Sequence, residues 1–302
     1  MSTREGSASR QSIERVLSRA LLPVGLAATL AITLHTLVTR ASHEQVFRVM
    51  GPVMLVTLSA LELWVGRWRP SARALPRDAL FLVLGGVMDT IGRMAAALVA
   101  IHLGGRGFGD FGRVPLWLSI PIGLIVADGV AYAMHRVSHV QPLLWRIHAL
   151  HHFPRELYAL MSTVNGPLVV LLIRGLPLVA LVALGFPAEV VFVYSMLDTW
   201  VGLVSHTGVD THNPWITAVL VSPETHRLHH GSKLADAGNY ALLLTFWDRL
   251  LGTWVPPRND GRAPSVGLAE PELLPATWTG VLLLQRPASA GRDAARTDDV
   301  RV

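Results

Sequence analysis

Four long apolar runs constrain this chain more than any other feature. They cover residues 17–38, 46–65, 79–103 and 114–134, and each carries at most two formal charges. A helix needs about 20 apolar residues to cross a hydrocarbon core of ~30 Å. Water-free lipid admits only backbones that satisfy their own hydrogen bonds, so runs of this length predict membrane-spanning helices. The first run is too long for a leader and lacks a clear small-residue cleavage site after it, and is read as a retained span. A fifth stretch, residues 166–204, has Arg174, Glu189 and Asp198 as its only formal charges and Gly185-Phe186-Pro187 near its middle. That turn signal predicts two helices forming a hairpin at or within the membrane.

Composition agrees. Only 16% of the 302 residues are charged, against about 25% in a typical soluble domain, and the mean hydropathy is +0.42. These values exclude a disordered chain, a coiled coil and a nucleic-acid-binding arm, so no nucleic-acid partner is expected. With no cysteine, disulfides, thiolate metal sites and cysteine nucleophiles are excluded. Lys233 is the one lysine among 26 basic residues, an arginine skew read as GC-rich, bacterial coding. The net charge of +5 is spread over short loops. Arg4, Arg10 and Arg15 precede the first run and Arg19 lies near its start, and Arg67, Arg69, Arg73 and Arg77 follow the second. The alternate loops are poorer in arginine, which places the N-terminus and the second loop in the cytosol.

The expected organisation is a flexible cytosolic N-terminus over 1–15 and N-terminal transmembrane helices over 16–113. A catalytic domain over 114–256 follows, then a C-terminal tail over 257–302 that is largely disordered. The fold class is an all-α integral membrane protein. Four transmembrane helices and the hairpin sit above a cytosolic helical cap formed by residues 205–256.

The polar residues that remain are dominated by 13 histidines. His135 and His139 form an i, i+4 pair, which on a helix shares one face. His148, His151 and His152 add i, i+3 and i+4 spacing, and His226, His229 and His230 repeat it. Helical i, i+4 histidines are a recurrent chelating arrangement because the rings meet at one ion without bending the backbone. Eight such residues exceed the four ligands of a closed single-ion site and suit two ions. Imidazole suits iron, zinc, copper and nickel, so ligand type alone does not choose among them. His206 closes the hairpin beside the cap and joins the candidate ligands. His212 is a further candidate, as a ligand or as a group behind the ligands. So are Glu224, two residues before His226, Asn239, and Asp128, two helical turns before His135 on the same face.

These blocks resemble the fatty acid hydroxylase/sterol desaturase superfamily of membrane di-iron enzymes. The resemblance covers roughly residues 115–256. It rests on Asp128 and Tyr132 leading into His135-Arg136-Val137-Ser138-His139, then on Leu144-Trp145-Arg146 leading into His148, His151 and His152. It continues through Ser205-His206-Thr207-Gly208, Pro223-Glu224, His226-Arg227, His229-His230 and Asn239-Tyr240, and ends at Trp247-Asp248-Arg249-Leu250-Leu251-Gly252-Thr253. It implies two irons held by the eight box histidines with His206 as the additional ligand. It further implies O2 as cosubstrate, electrons from an external donor, and hydroxylation of a C–H bond in a lipid (fatty acyl, sterol or related). The same residues are the implied catalytic set. Ala241 replaces a common glycine, and Asn165-Gly166-Pro167 stands where many relatives have His-Pro. Desaturation and ether-lipid monooxygenation are alternative outcomes on the same centre. A membrane metal transporter or sensor is the alternative of another class, but it would string histidines and acids along the spans. No electron-carrying domain is fused to the chain, so a separate redox partner is expected, with Arg136, Arg146, Arg155 and Arg227 available to an acidic donor or to lipid phosphates.

Overall fold

The computed structural model describes residues 2–68, 71, 74–103, 107–232, 238–257, 264–268 and 279–280, with only the backbone over 2–12. Most of the C-terminal segment read as a tail, 257–302, lies outside the described residues. Within them the fold is helical throughout, with no strands and only two isolated bridges, Leu220 to Leu244 and Gly231 to Val266.

Four helices are long and apolar enough to cross a membrane: α1 (Ser2–Thr39), α2 (His43–Val65), α3 (Leu75–His102) and α4 (Leu116–Val140). α1 begins at Ser2, so the lead-in expected to be loose is helical. No proline interrupts it before Pro23, and once a span has nucleated, each added residue gains one hydrogen bond at little further cost. Ser42 caps α2 by accepting from the Gln45 N–H at 3.3 Å, and Gly66, at φ 72°, closes its far end. Gln141 then turns the chain sharply: it ends α4, its side chain accepts from the Leu144 N–H at 2.8 Å, and Pro142 opens α5 (Pro142–His152).

After a 3-10 turn at Ala159–Thr163, the apolar stretch runs through α6 (Pro167–Val170), a π-helical turn (Leu171–Gly175) and α7 (Leu176–Ala183). It turns at Gly185-Phe186-Pro187 and returns as α8 (Ala188–Val204). α8 is the centre of the molecule, with Val190, Val193, Met196, Val201 and Val204 buried. α1, α2, α4 and α7 pack around it, while the outer faces of α1, α2 and α3 expose Val24, Leu34, Val53, Val83 and Leu98. That inverted pattern suits a molecule solvated by lipid.

Three short helices complete the described fold: α9 (Pro214–Thr217), α10 (Pro223–His229) and α11 (Phe246–Leu250). This region differs from a cap lying beneath the spans. The Trp247 indole N–H donates to the Ile125 carbonyl at 3.1 Å, 15 residues before the end of α4, so residues 243–251 climb alongside α4. Trp215, Val219, Phe246, Leu250 and Leu251 on this part are exposed and apolar.

Close backbone approaches set the packing. A methyl group on Gly92 would lie 2.7 Å from the Cα of Gly175, so α3 crosses the π-helical turn with nothing between the chains. Gly92→Val is expected to push α3 away and destabilise the protein by roughly 1–3 kcal/mol, read as a lower unfolding midpoint in detergent.

Candidate metal centre

Nine histidines from four places in the sequence converge at one end of the bundle. His135 and His139 come from the last turns of α4, and His148, His151 and His152 from the end of α5. His206 follows α8, and His226, His229 and His230 come from α10 and its last turn. A reciprocal Ser222–Thr225 capping box and Pro223 start α10, which fixes the phase of its histidines.

The nine form two groups: His135, His139, His148, His152 and His229, and separately His151, His206, His226 and His230. Within each group the ring nitrogens lie within 4.8 Å of one another. All are buried except His139, which is partly so. The i, i+4 pairs (135/139, 148/152, 226/230) each stay in one group. The third histidine of each triplet, His151 or His229, crosses to the other. Side chains at i+3 and i+4 differ by about 100° around a helix, so one helix end serves two centres.

Hydrogen bonds define what these rings present. The Nδ1 atoms of His135, His151, His206 and His229 lie 2.7, 2.9, 2.6 and 2.8 Å from the carbonyls of Tyr240, Val164, Gly202 and Gly238. A carbonyl only accepts, so each Nδ1 carries the proton and each Nε2 an open lone pair. His148 Nδ1 meets the Asn165 side-chain oxygen at 3.3 Å in the same sense. The Nε2 atoms face each other: 3.1 Å between His148 and both His135 and His139, and 3.3 Å to His152. In the second group His206 is 3.0 Å from both His151 and His226, and His226 is 3.2 Å from His230. His229 Nε2 is buried with no partner among the described residues.

Lone pairs this close repel unless a cation lies between them. Nitrogens bound at about 2.1 Å to one ion are spaced by ~3.0 Å at right angles and ~3.4 Å at tetrahedral angles. The observed spacings lie in that range, so the residues present fit two metal ions. Protonation is no substitute: burial pushes His151 down to about 4 and His229 down to about 3.

The acids first assigned to the imidazoles act elsewhere. Asp128, fully buried, accepts the backbone N–H groups of Leu243 and Leu244, each at 3.0 Å, and thereby holds the loop whose Tyr240 carbonyl orients His135. Asp248 holds the same loop through the N–H groups of Tyr240 and Ala241 at 2.8 and 2.9 Å. Glu224 accepts from the Thr211 N–H and, at 2.9 Å, its hydroxyl. Asn239, at φ 52°, bonds to the Thr225 carbonyl and to both polar backbone atoms of Val255. None of these four reaches a histidine, because loop amides compete for every carboxylate and amide oxygen. His212 is exposed and stands apart, its backbone N–H donating to the Ser18 carbonyl at 2.7 Å. Arg227 is buried and paired with Asp210, so it is not a free cation for a partner. Glu62 was hidden inside an apolar run. It is fully buried on α2 and accepts from Ala159 and Gly208 at 2.9 and 2.8 Å, tying down the loops after His152 and His206.

A cavity of about 510 Å³ opens onto both groups, touching His135 and His148 of one and His151 and His206 of the other. It extends between α2, α3, the π-helical turn and α8 along walls such as Leu55, Leu82 and Ile173.

A helical membrane protein with two buried all-histidine groups at the foot of an apolar cavity is the class this geometry defines. Residues 120–253 match the fatty acid hydroxylase family. It is 33% identical over 146 residues to an ornithine lipid hydroxylase, OlsE, of Rhizobium tropici, covering 48% of this chain and 44% of the relative. It is 25% identical over 210 residues to the alkylglycerol monooxygenase of Homo sapiens (67% and 46%). It is 28% identical over 138 residues to the sphingolipid C4-hydroxylase sur2 of Schizosaccharomyces pombe (45% and 47%). The chain thus spans about half the length of the curated relatives it matches. No solved structure matches it.

Two outcomes follow from the site. Below about pH 6.5 the unfolded chain takes up protons on His151 and His229 that the folded chain refuses, so stability rises with pH across that window. The metal-free protein should hold its unfolding midpoint above about pH 7 and lose it progressively as the pH falls from about 6.5 toward 4. Asp128→Ala strands two buried N–H groups and should cost about 2–5 kcal/mol, measured by thermal unfolding, with metal content falling as the His135 acceptor loop loosens.

Proposed function

We propose that this protein is a membrane-bound di-iron oxygenase that hydroxylates a C–H bond of a lipid, using O2 and electrons from a separate donor. The observation that carries the reading is the pair of buried imidazole groups, five and four strong, at the inner end of an apolar cavity. His135, His139, His148, His152 and His229 would hold one iron, and His151, His206, His226 and His230 the other. Bound there, the irons supply the activation of O2 that an unreactive C–H bond requires.

The chain supplies the rest. The carbonyls of Tyr240, Val164, Gly202 and Gly238 hold the rings in the tautomer that directs Nε2 inward. Apolar walls exclude water and align an acyl or isoprenoid chain. Glu62, Asp128 and Asp248 immobilise the segments that carry the Val164, Gly238 and Tyr240 carbonyls, and the Gly202 carbonyl lies in the last turn of α8. One oxygen atom enters the lipid and the other leaves as water, which consumes two electrons and two protons from the donor. The arginine asymmetry puts the histidines on the cytosolic side of a bacterial cytoplasmic membrane, where a redox partner has access. Arg136 and Arg155 remain exposed there. An ether lipid is the second reading, favoured by the alkylglycerol monooxygenase match, which covers 67% of this chain.

Metal analysis of protein purified after iron-replete expression should find about two irons per chain. Lipids of cells expressing the wild type should gain one oxygen in an O2-dependent way that His229→Ala abolishes. Loss of two hydrogens would mark desaturation, and release of an aldehyde would mark ether cleavage. Stoichiometric zinc, or no lipid change dependent on both O2 and His229, would overturn the reading.

A further inference from the structure

Away from the histidines, three helical segments bring charge into the cavity. Asp89 stands 14 residues from the start of α3 and 13 from its end, close to the middle of a membrane span. Arg174 lies in the π-helical turn and Asp198 on α8. All three line the cavity. The Gly92–Gly175 contact brings them together, since Asp89 is one turn from Gly92 and Arg174 adjoins Gly175.

Charges at this depth are costly and mark function when they face a cavity. Ion pairing only partly satisfies these. Arg174 gives two hydrogen bonds, 3.2 and 2.9 Å, but both end on Oδ2 of Asp198. Asp89 receives Arg93 on its Oδ2 at 2.8 Å, while that guanidinium lies 3.8 Å over the Phe47 ring. Among the described residues, one oxygen of each carboxylate and the Nη1 edge of Arg174 have no hydrogen-bond partner. A desolvated ion pair recovers its cost only when the remaining lone pairs and protons also find partners. The π-helical turn adds a second indication: such turns insert one residue into a helix and concentrate at functional sites. Here it carries Arg174. The subsite is near the histidines, because Gly202, whose carbonyl orients His206, faces Arg174 Nη2 at 3.4 Å from where its Cβ would be.

We propose that Asp89, Arg174 and Asp198 form a headgroup subsite for a zwitterionic lipid, the two carboxylates taking its ammonium group and Arg174 an acid oxygen. The inference rests on the lipid-oxygenase reading and narrows its substrate class. Neutral lipids bring no charge to the edges that these ion pairs leave free, and purely anionic lipids suit only Arg174 and oppose both carboxylates.

Binding is tested on metal-free protein by native mass spectrometry from detergent, using three lipids with one oleoyl chain: lysophosphatidylethanolamine, monooleoylglycerol and lysophosphatidylglycerol. The wild type should retain the ethanolamine lipid about tenfold better than either of the others. Asp89→Asn, whose one hydrogen-bond partner among the described residues lies one turn away on its own helix, should bring the three within about twofold. The paired change Arg174→Gln with Asp198→Asn should do the same without stranding a charge. Equal retention of the neutral lipid, equal retention of the anionic lipid, or an unchanged preference in folded variants would overturn the subsite. His229→Ala should keep the preference. Absence of iron or of lipid oxidation therefore tells against the oxygenase, and loss of selectivity with oxidation intact tells against the subsite alone.

Discussion

The arrangement depends on unprotonated imidazole nitrogens held face to face at 3.0–3.3 Å. Left to themselves these lone pairs would drive the rings apart or capture protons. Burial blocks protonation, and backbone carbonyls block rotation. A cation is the partner that this geometry leaves room for. The rest of the molecule can be understood as what is needed to keep nine such nitrogens in place within an apolar bundle.

Much of that task falls to three buried acids. Glu62, Asp128 and Asp248 each bridge two backbone N–H groups in loops that return toward the histidines. A carboxylate with two amide donors is well satisfied at low dielectric, where an unpaired one would be costly. The helices alone would leave these loops free to turn, since the oriented carbonyls of Val164, Gly202, Gly238 and Tyr240 fall in or beside irregular backbone. The acids convert loops into fixed supports.

The spans and the histidine blocks were legible because they rest on short-range periodicity. Apolar length marks a membrane helix, and i, i+4 spacing marks a shared face. The division of each triplet between two groups was not legible, although helix geometry contains it: His151 and His229 are turned about 100° from their i+4 neighbours. The backbone partners of Asp128 and Glu224 were not legible, because separation along a helix reveals which face a residue shares, but not which distant loop competes for it. Glu62 was missed altogether, since one acid barely changes the hydropathy of a 23-residue helix. The ascent of residues 243–251 along α4 depends on contacts across more than 100 residues, such as Trp247 with Ile125, which local pattern does not encode. Asn165 was visible as a departure from the family pattern. The structure gives it a physical sense: its side-chain oxygen meets the ring of His148 and also accepts the Gly166 N–H.

The crossing of His151 and His229 has a consequence for assembly. Because α5 and α10 each divide their histidines between both groups, neither group is complete until α10 has docked. The two are coupled like stones meeting at a shared keystone. A chain still emerging from synthesis holds the histidines of α4 and α5 long before those of α10 exist, and until then it has only fragments of each centre. The last histidines of both groups therefore arrive together, with α10.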